Sequence, residues 1–225
     1  MADIASRIIQ SDHFVYKAGT HGPEYLDKEL LATMGARNLV EVINEVGNAA
    51  LRKGLDLGNL SSKIGIVGPA MGAITFSLTL AAHLEKLFSI YTFFPARTEL
   101  TEDKSGKKVH IIPDKLKPIY QGSSFIIFED IINNGTTVRE VGKLFDNVIA
   151  AICICDRRGQ TAESLEVKQY YPYLRFNMEQ STAKDCDQCL EGIPINTKLG
   201  KGARWVSLFG QPPYPDNKDF SLFWE

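Results

Sequence analysis

The sequence predicts an α/β fold in which a mainly parallel sheet is flanked by helices. Short apolar runs alternate with stretches of helical spacing in the middle of the chain, and this order is typical of βαβ units. The 225 residues, of which 44% are hydrophobic, suffice for one main core. The first apolar run, residues 64–67, ends in a glycine-containing turn and leads into a predicted helix over residues 73–87.

Three further apolar runs predict the other strands of this sheet. They cover residues 87–94, 124–128 and 147–155, and helical spacing over residues 137–145 joins the last two. Because the connections between such strands are helical, the strands are expected to lie parallel to one another.

The two ends of the chain are predicted to flank this sheet. Residues 11–31 have the pattern of a hairpin and residues 39–53 that of an amphipathic helix, so residues 1–60 are expected to form a hood and flank near the ligand-binding edge. Residues 97–118 are charged and lack a sustained apolar period, which predicts a long mobile loop with a brief hairpin around residues 109–112. The aromatic segment 203–225 is expected to pack on the body of the protein or on a partner.

Composition argues against several classes of function. The 25 basic and 27 acidic residues give a net charge of −2, so no broad positive field is available to attract nucleic acid or anionic lipid. No apolar run approaches the roughly 20 residues that cross a bilayer, and the first residues lack the order of a secretory signal, so a cytoplasmic protein is expected. Four cysteines are too few for a disulfide scaffold.

The most informative segment follows the third predicted strand. Glu129 and Asp130 stand at its carboxyl end, where open α/β sheets bind their ligands, and they could accept hydrogen bonds from sugar hydroxyls. The turn from Asn133 to Thr137 then leads into a helix, so its backbone N–H groups and hydroxyls can hold a phosphate. Taken separately, the turn could be an ordinary helix start and the carboxylates could lie in solvent. Their order in one segment favours a sugar-phosphate site.

This segment, in which an apolar strand is followed by Glu-Asp, two apolar and two polar residues, Gly and Thr, resembles the phosphoribosyl pyrophosphate (PRPP) signature of the type I phosphoribosyltransferases. Other segments resemble orotate phosphoribosyltransferases, including a longer bacterial branch with a C-terminal cysteine pair. They are residues 14–27, 67–74, 155–159 and 185–194. The resemblance implies the type I phosphoribosyltransferase fold, with a hood built from the N-terminal hairpin and the C-terminal segment. It also implies a single domain of residues 1–202, followed by a tail at residues 203–225.

The resemblance assigns expected roles to individual residues. The expected catalytic residues are Asp130, Glu129, Lys104 and Lys107, with both lysines on a mobile catalytic loop at residues 97–118. The expected PRPP-binding residues are Arg97, Ala70, Met71, Gly72, Asn133, Asn134, Gly135, Thr136 and Thr137. The expected base-binding residues are Lys17, Tyr25, Leu26 and Arg157. Mg²⁺ would bind through the oxygens of PRPP.

The implied activity is transfer of the phosphoribosyl group from PRPP to orotate by a homodimer, which yields orotidine 5′-monophosphate and pyrophosphate in de novo pyrimidine synthesis. Two alternatives stay open: transfer to a purine or another base, and a PRPP-sensing regulator without turnover. Lys17 and Arg157 favour anionic orotate over a neutral purine. One departure favours the regulator, because Arg97-Thr98-Glu99 stands where the familiar orotate enzymes carry an Arg-Lys pair.

The cysteines and histidines give weaker signals. Cys186 and Cys189 form a Cys-x-x-Cys that could bind zinc together with Cys153 and Cys155, but the sequence favours buried thiols over a zinc site. Of the histidines, only His110 merits a test in catalysis. All four histidines are expected at the surface or in hinges: His13, His21, His83 and His110.

Overall fold

The computed structural model describes residues 8–27, 30, 33, 35–58, 61–69 and 71–224, with the backbone alone at residues 71 and 72. The chain forms two compact units. The larger unit is Gly35–Asn177, and the smaller unit combines Met1–Met34 with Met178–Glu225.

The strands and helices that the sequence predicts occur in the predicted order, together with shorter elements and a further strand. The strands are β1 (Ile9–Val15), β2 (His21–Leu26), β3 (Lys63–Gly68), β4 (Thr92–Arg97), β5 (Glu99–Glu102), β6 (Lys108–Ile111), β7 (Ser124–Ile132), β8 (Val148–Asp156) and β9 (Tyr170–Arg175). The helices are α1 (Ala36–Arg52), α2 (Met71–Leu87), α3 (Lys117–Tyr120), α4 (Thr136–Gly142), α5 (Asp187–Leu190) and α6 (Gly202–Phe209). Within the described part of the chain, no helix has the length and apolar character needed to cross a membrane.

A five-stranded parallel sheet forms the centre of the larger unit, in the order β4-β3-β7-β8-β9. Strands β7 and β8 are buried over most of their length, as continuous apolar runs in a parallel sheet should be. Helix α2 packs on β3, β4 and β7, while α1 packs on β8 and β9. These observations confirm the predicted α/β fold. One core cluster contains Val67, Ala96, Tyr120, Phe125, Ile127, Ile132, Val138, Val141, Phe145, Ala151, Cys153 and Leu165.

One boundary and one strand of this sheet differ from the prediction. The strand predicted over residues 87–94 begins at Thr92, because α2 continues to Leu87 and a turn follows. Leu87 and Ile90 are exposed, so this apolar run includes the end of a helix rather than strand core alone. Sequence patterns also do not predict β9. It is an edge strand of mostly half-buried residues and contains Pro172, which only an edge strand tolerates well.

The segment of residues 97–118 contains a brief hairpin, as predicted, but it spans residues 99–111 rather than the region around residues 109–112. Strand β5 pairs with β6 in antiparallel fashion. The carboxylate of Asp103 closes the tip by accepting the backbone N–H groups of Ser105 at 2.8 Å and Lys107 at 3.0 Å. The hydroxyl of Ser105 also donates to this carboxylate, and these hydrogen bonds lower the pKa of Asp103. The hairpin is confirmed, while the mobility of this loop stays a prediction.

The smaller unit is built on the antiparallel hairpin of β1 and β2. Helix α6 packs on β1, and the residues after α6 close around Trp205, which is 2% exposed. The aromatic segment 203–225 therefore packs on its own chain within this unit. Its core contains Val15, Ala183, Ile195, Trp205, Phe209 and Phe223.

Two of the histidines differ from the expectation of surface or hinge positions. His13 and His21 lie on the two strands of the smaller unit's hairpin, and both are fully buried, so the expectation is wrong for them. His83 is half-buried between two helices, where its Nε2 lies 2.9 Å from Oδ1 of Asn48. Burial of a histidine depends on what packs over it, and the spacing of residues along the chain does not carry that information.

Candidate active site

The carboxyl ends of four parallel strands form one edge of the larger sheet. Gly68 at the end of β3 pairs with Arg97 at the end of β4. Ile132 at the end of β7 pairs with Asp156 at the end of β8. Because β3 and β7 are neighbours, the four ends are continuous. This is the edge at which open α/β sheets bind their ligands.

Glu129 and Asp130 lie near the carboxyl end of β7. Both are half-buried, whereas the apolar residues that precede them in the strand are buried. Oδ1 of Asp130 accepts the backbone N–H of Ile131 at 2.7 Å, which helps to fix the orientation of this carboxylate. The strand thus carries two half-buried carboxylates to the sheet edge.

The turn between β7 and α4 is tight and open to solvent. Gly135 has a φ of 72°, and a Cβ at this position would overlap the side chain of Leu165, so both conformation and space require glycine. Oδ1 of Asn134 accepts the backbone N–H of Thr136 at 3.3 Å and its hydroxyl at 3.0 Å. The side chains of Asn133, Asn134 and Thr136 are exposed. Polar groups, not apolar side chains, therefore line the predicted phosphate site.

Two residues that sequence reasoning missed brace this turn. Nε2 of Gln160 donates to the carbonyl of Asn133 at 3.0 Å. Nη1 of Arg139 donates to the carbonyl of Ser164 at 2.9 Å, and its Nη2 lies 3.5 Å from Oγ1 of Thr136. The three-residue spacing of Thr136 and Arg139 along α4 is a signal that could have placed this cation beside the turn. Gln160 lies in the connection after β8, and no sequence signal points to it.

The turn after β3 also depends on glycine. A Cβ on Gly68 would lie 2.7 Å from the carbonyl carbon of Ala73, so glycine lets α2 begin close to the end of the strand. Among the expected PRPP-binding residues, Ala70 lies outside the described residues, and Met71 and Gly72 are the first positions of α2. Backbone N–H groups at the start of a helix are suited to bind an anion.

Thr98 connects this turn to the hairpin of β5 and β6. Its side chain is 4% exposed, and its hydroxyl donates to the carbonyl of Pro69 at 2.9 Å. Nδ1 of His110 lies 2.9 Å from the same hydroxyl oxygen. Because that hydroxyl has a single proton, the Nδ1–H of His110 must be the donor of this second bond. Burial lowers the pKa of His110, and its bond to Thr98 gives this histidine a structural role in the hairpin.

The expected cations of the loop differ in their surroundings. The guanidinium of Arg97, at the end of β4, lies 3.0 Å from a carboxylate oxygen of Glu99. Nζ of Lys107 lies 3.6 Å from Oε1 of Glu140 on α4, so the hairpin tip approaches the helix that follows the phosphate turn. Lys104 is exposed at the same tip. Both ion pairs are exposed and contribute little to stability, so these cations are available to an anionic ligand.

Arg157 follows the end of β8 and lies beside β7. Its backbone N–H donates to the carbonyl of Ile132 at 2.9 Å, and its side chain is half-buried. The preceding Asp156 is fully buried. Its Oδ1 accepts the backbone N–H of Arg158 at 3.0 Å, and its Oδ2 lies 3.5 Å from the guanidinium of Arg175. Sequence reasoning assigned no role to Asp156, whose carboxylate fixes the backbone around Arg157.

The other expected base-binding residues lie in the smaller unit. Lys17 is exposed in the turn between β1 and β2. Tyr25 is half-buried and packs on Phe14, with ring centroids 5.3 Å apart. The side chain of Leu26 is buried in the core of this unit. Lys17 and Tyr25 are therefore the two whose side chains are accessible to a ligand.

The strand cysteines, Cys153 and Cys155, are buried in β8 as free thiols, which confirms their interpretation as small core residues. Burial raises the pKa of Cys155 to about 12 and also raises that of Cys153. At neutral pH both stay protonated, so they are not reactive thiolates. The other two cysteines, Cys186 and Cys189, lie next to two histidines of the smaller unit.

A match to a protein family covers this edge of the sheet. The model of the phosphoribosyl transferase domain matches residues 48–181, which is more than half of the chain. This chain belongs to the phosphoribosyl transferase domain family. The matched range includes both glycine turns, the carboxylates of β7 and the hairpin of β5 and β6.

Known phosphoribosyltransferases include relatives of this chain along most of its length. The orotate phosphoribosyltransferase of Carboxydothermus hydrogenoformans is 25% identical over 196 residues, which cover 85% of this chain and 91% of that protein. That of Caldicellulosiruptor bescii is 27% identical over 192 residues, which cover 81% and 86%. The crystal structure of the orotate phosphoribosyltransferase of Francisella tularensis has a TM-score of 0.50 and 13% identity, over 76% of this chain and 82% of that one. The last likeness supports the fold.

The donor groups at this phosphoribosyltransferase edge fit a Mg²⁺ ion held through a phosphate ligand. Glu129 and Asp130 provide half-buried carboxylate oxygens. Mg²⁺ prefers oxygen ligands and usually binds through one or two carboxylates together with substrate phosphates and water. The side chains present can therefore support the ion without forming a complete cage around it.

Proposed function

We propose that this phosphoribosyltransferase transfers the phosphoribosyl group of PRPP to orotate, releasing pyrophosphate and forming orotidine 5′-monophosphate in de novo pyrimidine synthesis. One observation carries the proposal: Glu129 and Asp130 lie on the strand that leads into the open turn at Gly135. The two relatives support orotate as the base, since each alignment covers more than 80% of the chain. By the resemblance to this family, we also propose a cytoplasmic homodimer with a catalytic domain of residues 1–202 and a tail at residues 203–225.

The turn of residues 133–137 is proposed to hold the 5′-phosphate through its backbone N–H groups and hydroxyls. Arg139, 3.5 Å from the hydroxyl of Thr136, would add positive charge beside it. Glu129 and Asp130 would accept hydrogen bonds from the ribose hydroxyls. As pyrophosphate leaves, positive charge develops on the ribose ring. The Asp130 carboxylate would stabilise this charge electrostatically, which lowers the barrier.

Pyrophosphate is proposed to bind to the turn after β3 and to the cations of the loop. The backbone groups of residues 70–72 and the guanidinium of Arg97 would hold it from one side. Lys107 and Lys104 would approach from the hairpin tip, and the contact of Lys107 with Glu140 on α4 supports it as the nearer of the two to the phosphate turn. Bound Mg²⁺ would neutralise part of the charge on PRPP.

Arg157 is proposed to bind the orotate carboxylate, since a guanidinium can bind a carboxylate through two parallel hydrogen bonds. Its backbone bond to Ile132 places it directly beside the carboxylate strand. Lys17, Tyr25 and Leu26 keep the base-binding roles that the family resemblance implies, with Leu26 contributing through its backbone because its side chain is buried.

A substrate panel tests this proposal. The purified chain is mixed with PRPP and Mg²⁺ and with orotate, adenine or hypoxanthine, and nucleotide and pyrophosphate are measured. We expect equal amounts of nucleotide and pyrophosphate with orotate, and neither with the purines. Reactions without PRPP or without Mg²⁺ serve as controls. Product from a purine alone would assign the chain a different acceptor, and PRPP binding without any product would favour a regulator.

A further inference from the structure

A cluster of two histidines and two cysteines lies inside the smaller unit. His13 and His21 are 0% exposed, Cys186 is 3% exposed and Cys189 is 2% exposed. One nitrogen or sulfur atom from each side chain lies within 4.8 Å of those from the other three. These are the residue types that most often bind zinc in proteins.

We propose that His13, His21, Cys186 and Cys189 form a structural zinc site. All four belong to the smaller unit, and none is among the residues assigned to phosphoribosyl transfer. The site is therefore independent of the proposed catalytic function. Its role would be to fasten the N-terminal hairpin to the segment that carries the cysteine pair.

The fold brings these residues together from opposite ends of the chain. His13 lies on β1 and His21 begins β2, so the hairpin places the two imidazoles next to each other. Two reciprocal backbone hydrogen bonds, of 2.9 and 3.0 Å, join His21 to Ser181. This bridge holds the chain at Ser181 against the hairpin, shortly before the cysteine pair. Cys186 caps the one-turn helix α5 and Cys189 lies within it, so one turn presents both thiols.

Four of the six distances between the ligand atoms are close to those of a tetrahedral zinc site. Zn–N bonds of about 2.05 Å and Zn–S bonds of about 2.3 Å place neighbouring ligand atoms about 3.3 Å apart for two nitrogens and about 3.6 Å apart for nitrogen and sulfur. Nε2 of His13 lies 3.1 Å from Nδ1 of His21. The thiol sulfur of Cys186 lies 3.6 Å from that nitrogen of His13. The sulfur of Cys189 lies 3.5 Å from it and 3.3 Å from Nδ1 of His21.

A hydrogen bond outside the cluster prepares His13 to bind a metal. Its Nδ1 lies 2.7 Å from the carbonyl oxygen of Ile193. A carbonyl can only accept, so Nδ1 carries the proton and Nε2 presents its lone pair to the cluster. Metal-bound histidines commonly donate their second N–H to a carbonyl in this way. His21 is held from the other side by Trp205, with ring centroids 4.5 Å apart and the planes at 81°.

The donor set and the surroundings favour zinc among the metals. Two sulfur and two imidazole ligands in tetrahedral order are typical of Zn²⁺, whereas Mg²⁺ and Ca²⁺ take oxygen. A pocket of about 300 Å³ lies beside the cluster, with His21 and Cys186 among its lining residues. Without an ion, the described residues offer the two thiols and Nδ1 of His21 hydrogen-bond partners only within this buried cluster.

Metal analysis of the full-length chain tests the proposal. The protein is produced without an affinity tag that binds metal, dialysed, and analysed for zinc by mass spectrometry. We expect about one zinc per chain, as a single four-ligand site requires. The variant C186S/C189S should lose nearly all of this zinc. The matched control C153S/C155S removes two buried thiols that lie outside the cluster, so it should retain the metal.

A second measurement covers the case in which C186S/C189S fails to fold. Wild-type protein is stripped of metal and reconstituted with Co²⁺, whose bonds to thiolates give a charge-transfer absorption and whose tetrahedral geometry gives intense visible bands. We expect both signatures at one equivalent. A folded wild-type chain without zinc that also fails to give these bands would overturn the proposal, as would a disulfide between Cys186 and Cys189. Zinc that C186S/C189S retains in full would overturn it too.

Discussion

The edge of the larger sheet and the cluster of the smaller unit are both built from polar residues, but in opposite ways. At the edge, the carboxylates and the phosphate turn lie within residues 129–137, and the carboxylates are half-buried. In the cluster, the contacting residues Cys186 and His13 are 173 positions apart and are buried. The first arrangement keeps its carboxylates partly exposed to a ligand from solution. The second encloses its donor atoms, so its contribution should be to stability.

The largest expected effect is in the smaller unit, where Trp205 packs on His21 and stacks on Phe220 at 5.1 Å. Trp205→Ala should lower the free energy of unfolding by about 3–5 kcal/mol, because it removes a buried aromatic side chain and leaves a cavity. Urea unfolding followed by circular dichroism measures it. Trp224→Ala, at a position that is 65% exposed, is the control and should change stability by no more than about 0.5 kcal/mol. Equal losses of unfolding free energy in the two variants would mean that burial of Trp205 does not stabilise the smaller unit.

The next effect is at the edge of the larger sheet. Asp130→Asn preserves the shape of the side chain and its acceptor for Ile131, but removes the charge. We expect kcat/KM for orotate to fall by about 10²–10³-fold, as when one electrostatic group of an active site is lost. Unfolding by urea should be nearly unchanged, since the carboxylate is half-buried. The exposed Asp146→Asn is the matched control. Parallel losses of turnover and stability would make Asp130 a structural residue.

The smallest effect concerns the backbone of the phosphate turn. Gly135→Ala should cost about 1–3 kcal/mol in stability, because an alanine there has an unfavourable φ and meets Leu165. Gly122 has the same φ of 72° but no neighbouring atom within 4 Å of a Cβ, so Gly122→Ala carries the conformational cost alone. The difference between the two variants in thermal or urea unfolding measures the clash. No difference would mean that Leu165 moves aside without cost.

Sequence patterns predict the larger unit well because the residues that define each of its main elements are neighbours in the chain. The central strands β3, β7 and β8 contain continuous apolar runs, and the glycine turns follow directly after β3 and β7. The pair Glu129-Asp130 and the turn at Gly135 lie in one segment, so their order alone indicates a sugar-phosphate site. The residues that support this turn cannot be predicted in the same way. Gln160 lies beyond the next strand, and its contact with Asn133 exists only in the folded chain.

In the smaller unit, sequence patterns predict only part of the cluster. The pair Cys186 and Cys189 can be recognised in the sequence, but the two histidines that complete a donor set lie near the other end of the chain. The expectation that His13 and His21 lie at the surface is wrong because strand pairing and the C-terminal aromatic residues bury them. Nothing in the spacing of single histidines reports such long-range packing.

The threonine at the base of the β5-β6 hairpin has a mechanical consequence. In the familiar orotate enzymes a lysine follows the arginine at this point, whereas here Thr98 is anchored through Pro69 and through His110. We expect these hydrogen bonds to restrain the base of the hairpin, so that its motion is larger at the tip that carries Lys104 and Lys107. Lys104 and Lys107 would then approach a departing anion through a small movement of the tip rather than a movement of the whole segment.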